Sequence, residues 1–353
     1  MHIEYGRSMS MGHMPQPVLQ QPQAFNIDLG ALFEANKPAG SKALIESLAA
    51  DRQGSVMSLV LVDLWPVNPM LAGDVVQQLE SLLLEMGKVS KFDLFLRSTG
   101  GMAEIPWRIV SLIRSFSDQV EVIIPRVAMS GATHIAIAAD SIVMSPMSCL
   151  GSVDPTRSHQ LLPRDPTNNM PIPVSVQDLK HCLEFLTKNV PKGEASGPLL
   201  SQLFTYVHPL AIGALEQSYE LARLITRKVL GTRKKPLDAK AVEHIVEQLA
   251  GKYFSHGYFI SRHEVENDLH LEVVKTGPGD ELFNKMEELN RYYTDIFRKE
   301  VLVPNAPVPL TFRITGFLET AKSRRILCQV MAAGPNGPNT QAVAGSWITE
   351  PNS

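Results

Sequence analysis

The sequence predicts an α/β protein built around a parallel β-sheet, and the order of its apolar segments is the first observation behind this prediction. Residues 56–64 form a continuous apolar run, which is typical of a strand buried on both faces of a parallel sheet. Residues 72–88 then carry apolar side chains at helical spacing, so we expect a helix after the strand. A strand that runs into a helix and then into another strand implies a βαβ crossover, which makes the two strands parallel.

The second observation is that this step repeats along the chain. Strands are predicted at 92–97, 120–125 and 141–144, and helices lie between them at about 102–116 and 130–139. Both of these helices begin directly after a tight turn. The first turn contains Gly100 and Gly101, and the second contains Ser130 between Met129 and Gly131. One strand–turn–helix can therefore supply backbone N–H groups while the next supplies a hydroxyl, and acyl transfer requires both.

The remaining segments add helices and a short β region. A proline-rich crossing is expected at 151–173, followed by helices at 175–188, 197–230, 238–251 and 263–270, a strand at 271–275 and a helix at 279–299. Three strands are expected at 310–317, 325–331 and 342–349. We divide the chain into a disordered leader (1–24), an N-terminal helical segment (25–54), a catalytic-type α/β domain (55–300) and a small β appendage (305–353).

Composition restricts the classes of function. The chain has 353 residues, of which 44% are hydrophobic, and its formal charge is −3, so no global field favours nucleic acid. The three cysteines contain no CxxC pair, which predicts neither a disulfide framework nor a zinc site and fits a reducing compartment. No apolar run reaches the length of roughly 18–20 residues that a membrane helix needs. We expect a cytoplasmic protein without cofactor, metal or integral membrane segment.

The chain resembles the Clp protease/crotonase superfamily, and within it the serine dehydrogenase proteinase family, whose relatives include the SppA signal-peptide peptidases. The resemblance rests on the segments 98–101, 127–131, 135–144, 150–155, 207–213 and 255–261. It implies a spiral of repeated ββα/βαβ units with helical additions. Three motifs depart from the family's usual pattern. The chain has Thr99-Gly100-Gly101 in place of Pro-Gly-Gly, and Ser130-Gly131-Ala132 in place of Ser-Gly-Gly or Ser-Ala-Gly. It has Asp154-Pro155-Thr156 in place of Asp-Pro-Gln.

Ser130 is the candidate nucleophile that this resemblance implies. At the junction of a strand and a helix its hydroxyl can project into a cleft near the positive end of the helix dipole. The alternative is that Ser130 only caps the helix, a role that serine often fills. The Gly-x-Ser-x-Gly elbow of α/β-hydrolases is absent, which argues against that fold.

Gly100 and Gly101 are expected to supply one N–H of an oxyanion hole, with the N–H of Gly131 as its partner. Glycine allows the backbone to come close to a substrate and to adopt a positive φ. The alternative is an ordinary strand-to-helix turn.

The general base is open between two residues. Lys180 matches a lysine position of the family, and a desolvated lysine can accept a proton near neutral pH. His159 is the second candidate, since it follows the 151–155 segment near where a Clp histidine would fall. Asp154 could orient a base or bond backbone N–H groups in its turn. His134 is expected to face the core or a subunit contact, and both His208 and His256 fit a structural role.

The resulting functional hypothesis is a serine endopeptidase that cleaves peptides or unfolded proteins through an acyl-enzyme. The first alternative is a catalytically silent member of the fold that binds peptides or acts as a scaffold. The second is a crotonase-like enzyme that uses the same oxyanion hole for an acyl-CoA. We also expect a homo-oligomer, because the predicted helices at 197–230 and 279–299 carry more apolar residues than one core face requires.

Overall fold

The computed structural model describes residues 27–352 with gaps at 65–66, 158, 168, 173, 190–200, 202, 254, 307 and 335–336. The predicted leader at 1–24 lies outside the described residues. The helices are α1 (Leu29–Ala35), α2 (Lys42–Arg52), α3 (Gly73–Met86), α4 (Ile105–Phe116), α5 (Gly131–Ile137), α6 (Val176–Asn189), α7 (Pro209–Leu230), α8 (Ala239–Glu247), α9 (Arg262–Asn267) and α10 (Glu281–Phe297).

The strands alternate with these helices through the first half of the chain. They are β1 (Ser55–Leu61), β2 (Lys91–Arg97), β3 (Gln119–Ile124), β4 (Val127–Ala128), β5 (Ser141–Met144), β6 (Cys149–Gly151), β7 (Thr156–Arg157), β8 (Val174–Ser175), β9 (Phe259–Ser261), β10 (Val273–Lys275), β11 (Val301–Leu302), β12 (Leu310–Glu319), β13 (Ser323–Gly334) and β14 (Gly337–Pro351).

The central sheet has the strand order β10-β5-β3-β2-β1-β12-β13-β14, with β11 paired to β12. Its first five strands are mutually parallel, which confirms the predicted α/β class with βαβ crossovers. A smaller sheet of order β4-β6-β9 stands beside it. The strand β4 ends two residues before Ser130, so the small sheet carries the candidate nucleophile.

The core lies on both faces of the central sheet because neighbouring strand residues point to opposite sides. Met57 and Leu59 of β1 join a cluster with the apolar sides of α3, α4, α5 and α7, whereas Val56 and Val60 join a second cluster with α1, α2 and α10. Four of the parallel strands, β1, β2, β3 and β5, are buried in this way, which explains the apolar runs that predicted them.

The C-terminal strands extend the central sheet directly. Residues of β12 pair antiparallel with β1, with Ser58 opposite Glu319 and Leu61 opposite Gly316. The end of the chain is also bound near the start of α2: Asn352 Oδ1 accepts a hydrogen bond from Ser41 N at 3.0 Å, and Asn352 Nδ2 donates to Ser41 Oγ at 2.9 Å. The predicted β appendage thus shares the sheet of the α/β domain, while the division into domains stays a prediction.

Two predicted helices differ from the structure, and the difference in the first has a clear physical cause. Of the helix expected over 197–230, residues 197–200 and 202 lie outside the described residues, 203–206 are helical, and α7 begins at Pro209 after a break at 207–208, with His208 as its N-cap. Proline lacks an N–H and disfavours helical backbone at the preceding residue, so a helix starts there more easily than it continues through. The helix expected over 238–251 ends as α8 at Glu247 and continues as a π-helix over Gln248–Lys252.

Candidate active site

Ser130 has an unusual backbone conformation for a residue other than glycine. Its φ is +51° and its ψ is −117° at the N-cap of α5. The backbone just before Ser130 is hydrogen-bonded to Ser98. Met129 N donates to Ser98 O at 3.0 Å, and Ser98 N donates to Val127 O at 3.1 Å. Such strain costs of order 1–3 kcal/mol and is concentrated at functional sites.

The hydroxyl of Ser130 does not cap the helix that follows. Its side chain makes no capping hydrogen bond to the first turn of α5. The capping alternative requires such a bond, since a capping serine accepts from the N–H of the second or third helical residue. The side chain is half-buried and lines a cleft, where a hydroxyl is accessible to a substrate.

The paired glycines lie directly against this serine. Gly100 has a φ of +105°, and a Cβ at this position would stand 2.9 Å from Ser130 Cβ and 2.8 Å from Met129 O. A Cβ on Gly101 would stand 2.2 Å from the backbone oxygen of Leu71. Both positions therefore exclude any larger side chain, for reasons of close approach as well as backbone conformation.

The backbone N–H groups of these residues have different uses. Gly100 N donates to Ser98 Oγ at 3.1 Å, so its N–H is occupied within the turn. The N–H groups of Gly101 and Gly131 donate to no other residue in the described part of the chain. Gly101 N lies 3.5 Å from the point where a Cβ on Gly131 would stand, so the two glycines are neighbours in space. The arrangement offers two free donors beside one hydroxyl, as an oxyanion hole requires.

One cleft of about 790 Å³ contains these groups. Its described lining comprises residues from the glycine turn, the serine turn, α7 and two loops: Asn68, Met70, Thr99, Gly100, Gly101, Met102, Ala103, Glu104, Ser130, Gly131, His134, Val153, Pro155, Thr156, Gln217, Ser218, Leu221, Ala222 and His256. The structure thus brings Ser130 together with all three predicted glycines. Lys180 and His159 are described but are not part of this lining.

Lys180 lies on α6 with its side chain exposed to solvent. Its Nζ stands over the ring of Tyr219, 4.1 Å from the ring centroid. The face of an aromatic ring attracts a cation, so the ammonium of Lys180 has a favourable contact outside the lining of the cleft. The desolvated setting that we expected for Lys180 is not seen, and its role as base stays a prediction.

His159 lies in a turn of the crossing segment and is half-buried. Its Nδ1 accepts a hydrogen bond from the N–H of Leu161 at 3.1 Å. That bond holds the ring within its own turn, which gives the imidazole a structural role. Its role as base also stays a prediction.

His256 lines the cleft, and sequence reasoning had assigned it a structural role. Its Nδ1 is hydrogen-bonded to the backbone carbonyl of Asp154, and a carbonyl can only accept, so Nδ1 carries the proton. The other ring nitrogen, Nε2, is then an unprotonated acceptor. Two weaker bonds from Ser152 Oγ, at 3.2 Å to Ser255 O and 3.3 Å to His256 O, hold the histidine loop against the end of β6.

The carboxyl group of Asp154 stands close to this histidine. Burial raises the pKa of Asp154 to about 6, while a hydrogen bond with Ser175 and the charge of His256 act in the opposite direction. One oxygen, Oδ1, is buried without a partner among the described residues. The backbone of Asp154 therefore orients His256, and its carboxyl group adds a nearby negative charge when it is ionised.

Ser130 Oγ makes no hydrogen bond to any described residue, and this includes His256. Catalytic hydrogen bonds in unliganded enzymes are often long and tighten only when substrate binds.

No group of three or more His, Cys, Asp or Glu side chains in the described residues is arranged to hold a metal ion. Within the same residues, no helix is both long and apolar enough to cross a membrane.

Comparison with known proteins identifies the segment that carries this site. Residues 79–164 match the profile of the ClpP-like SDH-type serine proteinases. The chain is related to these proteinases through that segment. The resemblance predicted from the sequence is therefore confirmed, and the matched residues include Gly100, Gly101, Ser130 and Asp154. Lys180 and His256 lie beyond the matched segment.

Curated relatives are found in the archaeon Methanocaldococcus jannaschii. An uncharacterised protein, MJ0137, is 38% identical over 68 residues, which cover 19% of this chain and 24% of the relative. A second, MJ1495, is 40% identical over 63 residues, which cover 18% of this chain and 22% of the relative. The matches thus span about a quarter of the length of these relatives.

Two of the solved structures that resemble the chain are a ClpP1 and a stomatin-specific protease. A mutant of ClpP1 from Listeria monocytogenes has a TM-score of 0.35 and 13% identity, covering 67% of this chain and 96% of that one. A mutant of the 1510-N membrane-bound stomatin-specific protease, in complex with a substrate peptide, has a TM-score of 0.33 and 13% identity, covering 69% and 84%.

Proposed function

We propose that the chain is a serine endopeptidase in which Ser130 forms an acyl-enzyme. The observation that carries this proposal is the uncapped hydroxyl of Ser130, held at positive φ beside two free backbone N–H groups in one cleft. A serine that only caps a helix requires neither the positive φ nor the free N–H groups. A nucleophile needs an exposed hydroxyl, and its tetrahedral intermediate needs donors aimed at the developing oxyanion.

In the proposed reaction, Ser130 Oγ attacks the carbonyl carbon of a peptide bond. Its proton passes to Nε2 of His256, and the N–H groups of Gly101 and Gly131 donate to the oxyanion. The protonated histidine then gives that proton to the leaving amine as the carbon–nitrogen bond breaks. Water hydrolyses the acyl-enzyme by the same route, with His256 as base and then as acid.

His256 is favoured as the base because it lines the cleft and because its tautomer presents Nε2 as an acceptor. The carbonyl of Asp154 takes the orienting role that a carboxylate has in a serine–histidine–aspartate triad. Lys180 and His159 remain alternative bases, and each would have to approach the cleft from its present position.

Labelling with a fluorophosphonate tests the nucleophile. We expect the wild-type chain to be labelled and to cleave extended peptides, and Ser130→Ala to lose both reactions while keeping its fold. Ser115→Ala is the matched control, because Ser115 is an exposed serine on α4 that bonds only within its helix. Equal labelling of wild type and Ser130→Ala would contradict the proposal.

A catalytically silent peptide-binding protein is the second candidate. The observation that favours it is that no hydrogen bond joins Ser130 to a base among the described residues. Under this alternative the chain binds peptides in the cleft but is neither labelled nor able to hydrolyse them.

We also propose that the chain forms a homo-oligomer. Of the apolar residues predicted to be in excess, Leu215 and Ile225 are buried in the chain's own core, but Phe204, Leu210 and Leu224 are 46%, 69% and 46% exposed. Such a surface on and beside α7 fits a subunit contact. Helix α10 belongs to the core cluster on the other face of the central sheet, where Phe283, Met286 and Leu289 are buried, and it is not needed for this contact.

A further inference from the structure

His134 is a buried polar side chain of the cleft that the proposed reaction does not use. His134 lies on α5, one helical turn after Ser130, and lines the cleft together with Ala222 and Gln217 of α7. Its side chain is only 4% exposed. Side chains on a helix lean toward its N-terminus, which here is the end that carries Ser130.

The protonation state of His134 follows from its neighbours. Its Nε2 lies 3.0 Å from Thr226 Oγ1, and the Thr226 hydroxyl lies 2.8 Å from the carbonyl oxygen of Ala222. A hydroxyl has one proton, and the helix carbonyl can only accept it. Thr226 Oγ1 must therefore accept from His134, so Nε2 carries the ring proton and Nδ1 carries a lone pair.

That lone pair has no partner. Nδ1 of His134 is buried and forms no hydrogen bond within the described part of the chain. Burial lowers the pKa of His134 to about 4, against a smaller effect of the Ala222 backbone carbonyl in the opposite direction, so the ring stays neutral and Nδ1 stays an acceptor at physiological pH. A buried acceptor without a donor is unfavourable, and buried polar groups in proteins normally have a hydrogen-bond partner.

We propose that His134 is a specificity-determining residue whose Nδ1 accepts a hydrogen bond from a substrate side chain ending in an uncharged donor. The chemical class is a hydroxyl or a primary amide, as in serine, threonine, asparagine or glutamine. A cationic side chain is disfavoured because it would lose its hydration for one neutral acceptor. The inference rests on the proposed function, since it places this side chain next to the bond that Ser130 attacks.

The experiment uses two substitutions that separate the two ring nitrogens. In His134→Asn the amide oxygen can take the place of Nδ1, whereas in His134→Gln the amide reaches the position of Nε2 and keeps the contact with Thr226. Each is combined with Ser130→Ala so that peptides bind without being cleaved. Circular dichroism and thermal melting verify that all the proteins are folded.

Peptide binding is measured by the fluorescence anisotropy of labelled peptides. At each peptide position, two pairs of residues of similar shape are compared: threonine with valine, and asparagine with leucine. We expect the Ser130→Ala protein to prefer the donor-bearing member at one position by roughly tenfold, the effect of one buried hydrogen bond. His134→Gln should lose this preference, and His134→Asn should retain most of it. The same preference in all three proteins, or its loss in His134→Asn but not in His134→Gln, would overturn the inference.

The outcomes also separate this inference from the proposed function. Labelling of Ser130 by fluorophosphonate without any donor preference in peptide binding, or without peptide binding at all, overturns the role of His134 and leaves the nucleophile in place. Donor preference that depends on His134 in a chain that is not labelled supports the role of His134 in binding and removes the hydrolase.

Discussion

The imidazole of His256 is hydrogen-bonded through Nδ1 to the backbone carbonyl of Asp154, at a separation of 102 residues along the chain. This bond fixes the tautomer that presents Nε2 as the acceptor. The other two candidate bases are not fixed in this way. The ammonium of Lys180 stands over an aromatic ring, and Nδ1 of His159 accepts a hydrogen bond from its own turn. We therefore propose His256 as the base ahead of Lys180 and His159, and mutation can test that order.

His256→Ala is expected to reduce kcat for peptide hydrolysis by roughly 10²–10⁴-fold, the usual contribution of a general base. Lys180→Ala and His159→Ala are expected to stay within about tenfold of the wild type. Initial rates on one fluorogenic peptide at saturating concentration provide the measurement. An inactive Lys180→Ala beside an active His256→Ala would return the assignment to a serine–lysine dyad.

Gly100→Ala is expected to lose both stability and activity. The added Cβ would stand 2.8–2.9 Å from Met129 O, Gly131 N and Ser130 Cβ, at a φ of +105°. We expect the free energy of unfolding to fall by roughly 1–3 kcal/mol and kcat/KM by about 10²-fold or more, because the donors of the oxyanion hole are displaced. Chemical denaturation and peptide hydrolysis measure the two effects.

Gly213→Ala is the matched control for that substitution. Gly213 is exposed within α7, and a Cβ there meets nothing within 4 Å. The control should gain roughly 0.5–1 kcal/mol, since alanine is the better helix former. Equal losses in both variants would mean that Gly100 is no more constrained than a surface glycine.

Ser130→Gly is expected to be more stable than Ser130→Ala. Both variants lack the hydroxyl, but only glycine adopts a φ of +51° and a ψ of −117° without steric cost. The difference in unfolding free energy should be roughly 1 kcal/mol in favour of glycine, as measured by urea denaturation. A more stable alanine variant would show that the turn relaxes and that Ser130 is not held under strain.

His134→Leu is expected to make stability less sensitive to acid. The folded-state pKa of His134, about 4, lies below its ordinary value of 6.5, so the unfolded chain binds a proton more readily. The stability that this histidine contributes is present above pH 6.5 and is lost as the pH falls from 6.5 toward 4.

Between pH 7 and pH 4 the wild type should therefore lose roughly 2–4 kcal/mol more unfolding free energy than the variant, if the two are denatured in parallel. Other titrating groups contribute to both proteins and cancel in the difference. Parallel pH profiles would mean that His134 is protonated or solvated in the folded chain.

Light scattering coupled to size exclusion tests the proposed oligomer. We expect a mass that is a multiple of the chain's 38.9 kDa, and a shift toward the single chain in Leu210→Glu, because Leu210 is 69% exposed on α7. Leu302→Glu is a suitable control, since Leu302 is 74% exposed on β11 of the central sheet, an element separate from α7. A concentration-independent mass of one chain for the wild type would rule out the assembly.

Local patterns in the sequence predicted the parts of the fold that depend on neighbouring residues. The apolar runs located β2, β3 and β5, and the glycine and serine turns located Gly101 and Ser130. Each of these features lies within one strand–turn–helix unit, where periodicity and turn chemistry act directly.

Long-range features could not be predicted in the same way. The pairing of β1 with β12 joins segments more than 240 residues apart, and apolar runs do not specify their partners. His256 is oriented by a backbone carbonyl, an acceptor that every residue possesses and that leaves no mark in a sequence. The tautomer of His134 depends on Thr226, which is 92 positions away. Such contacts exist only after the chain has folded.

The pairing of β1 with β12 has a consequence during synthesis. Leu61 ends β1, and the strand that covers its free edge begins at Leu310, 249 residues later (310 − 61). At a ribosomal rate of about 5–20 residues per second, that edge remains open for roughly 12–50 s in the nascent chain. An apolar strand with an unpaired edge is prone to pair with other chains, so newly made copies of this protein should depend on chaperones until the C-terminal strands have left the ribosome.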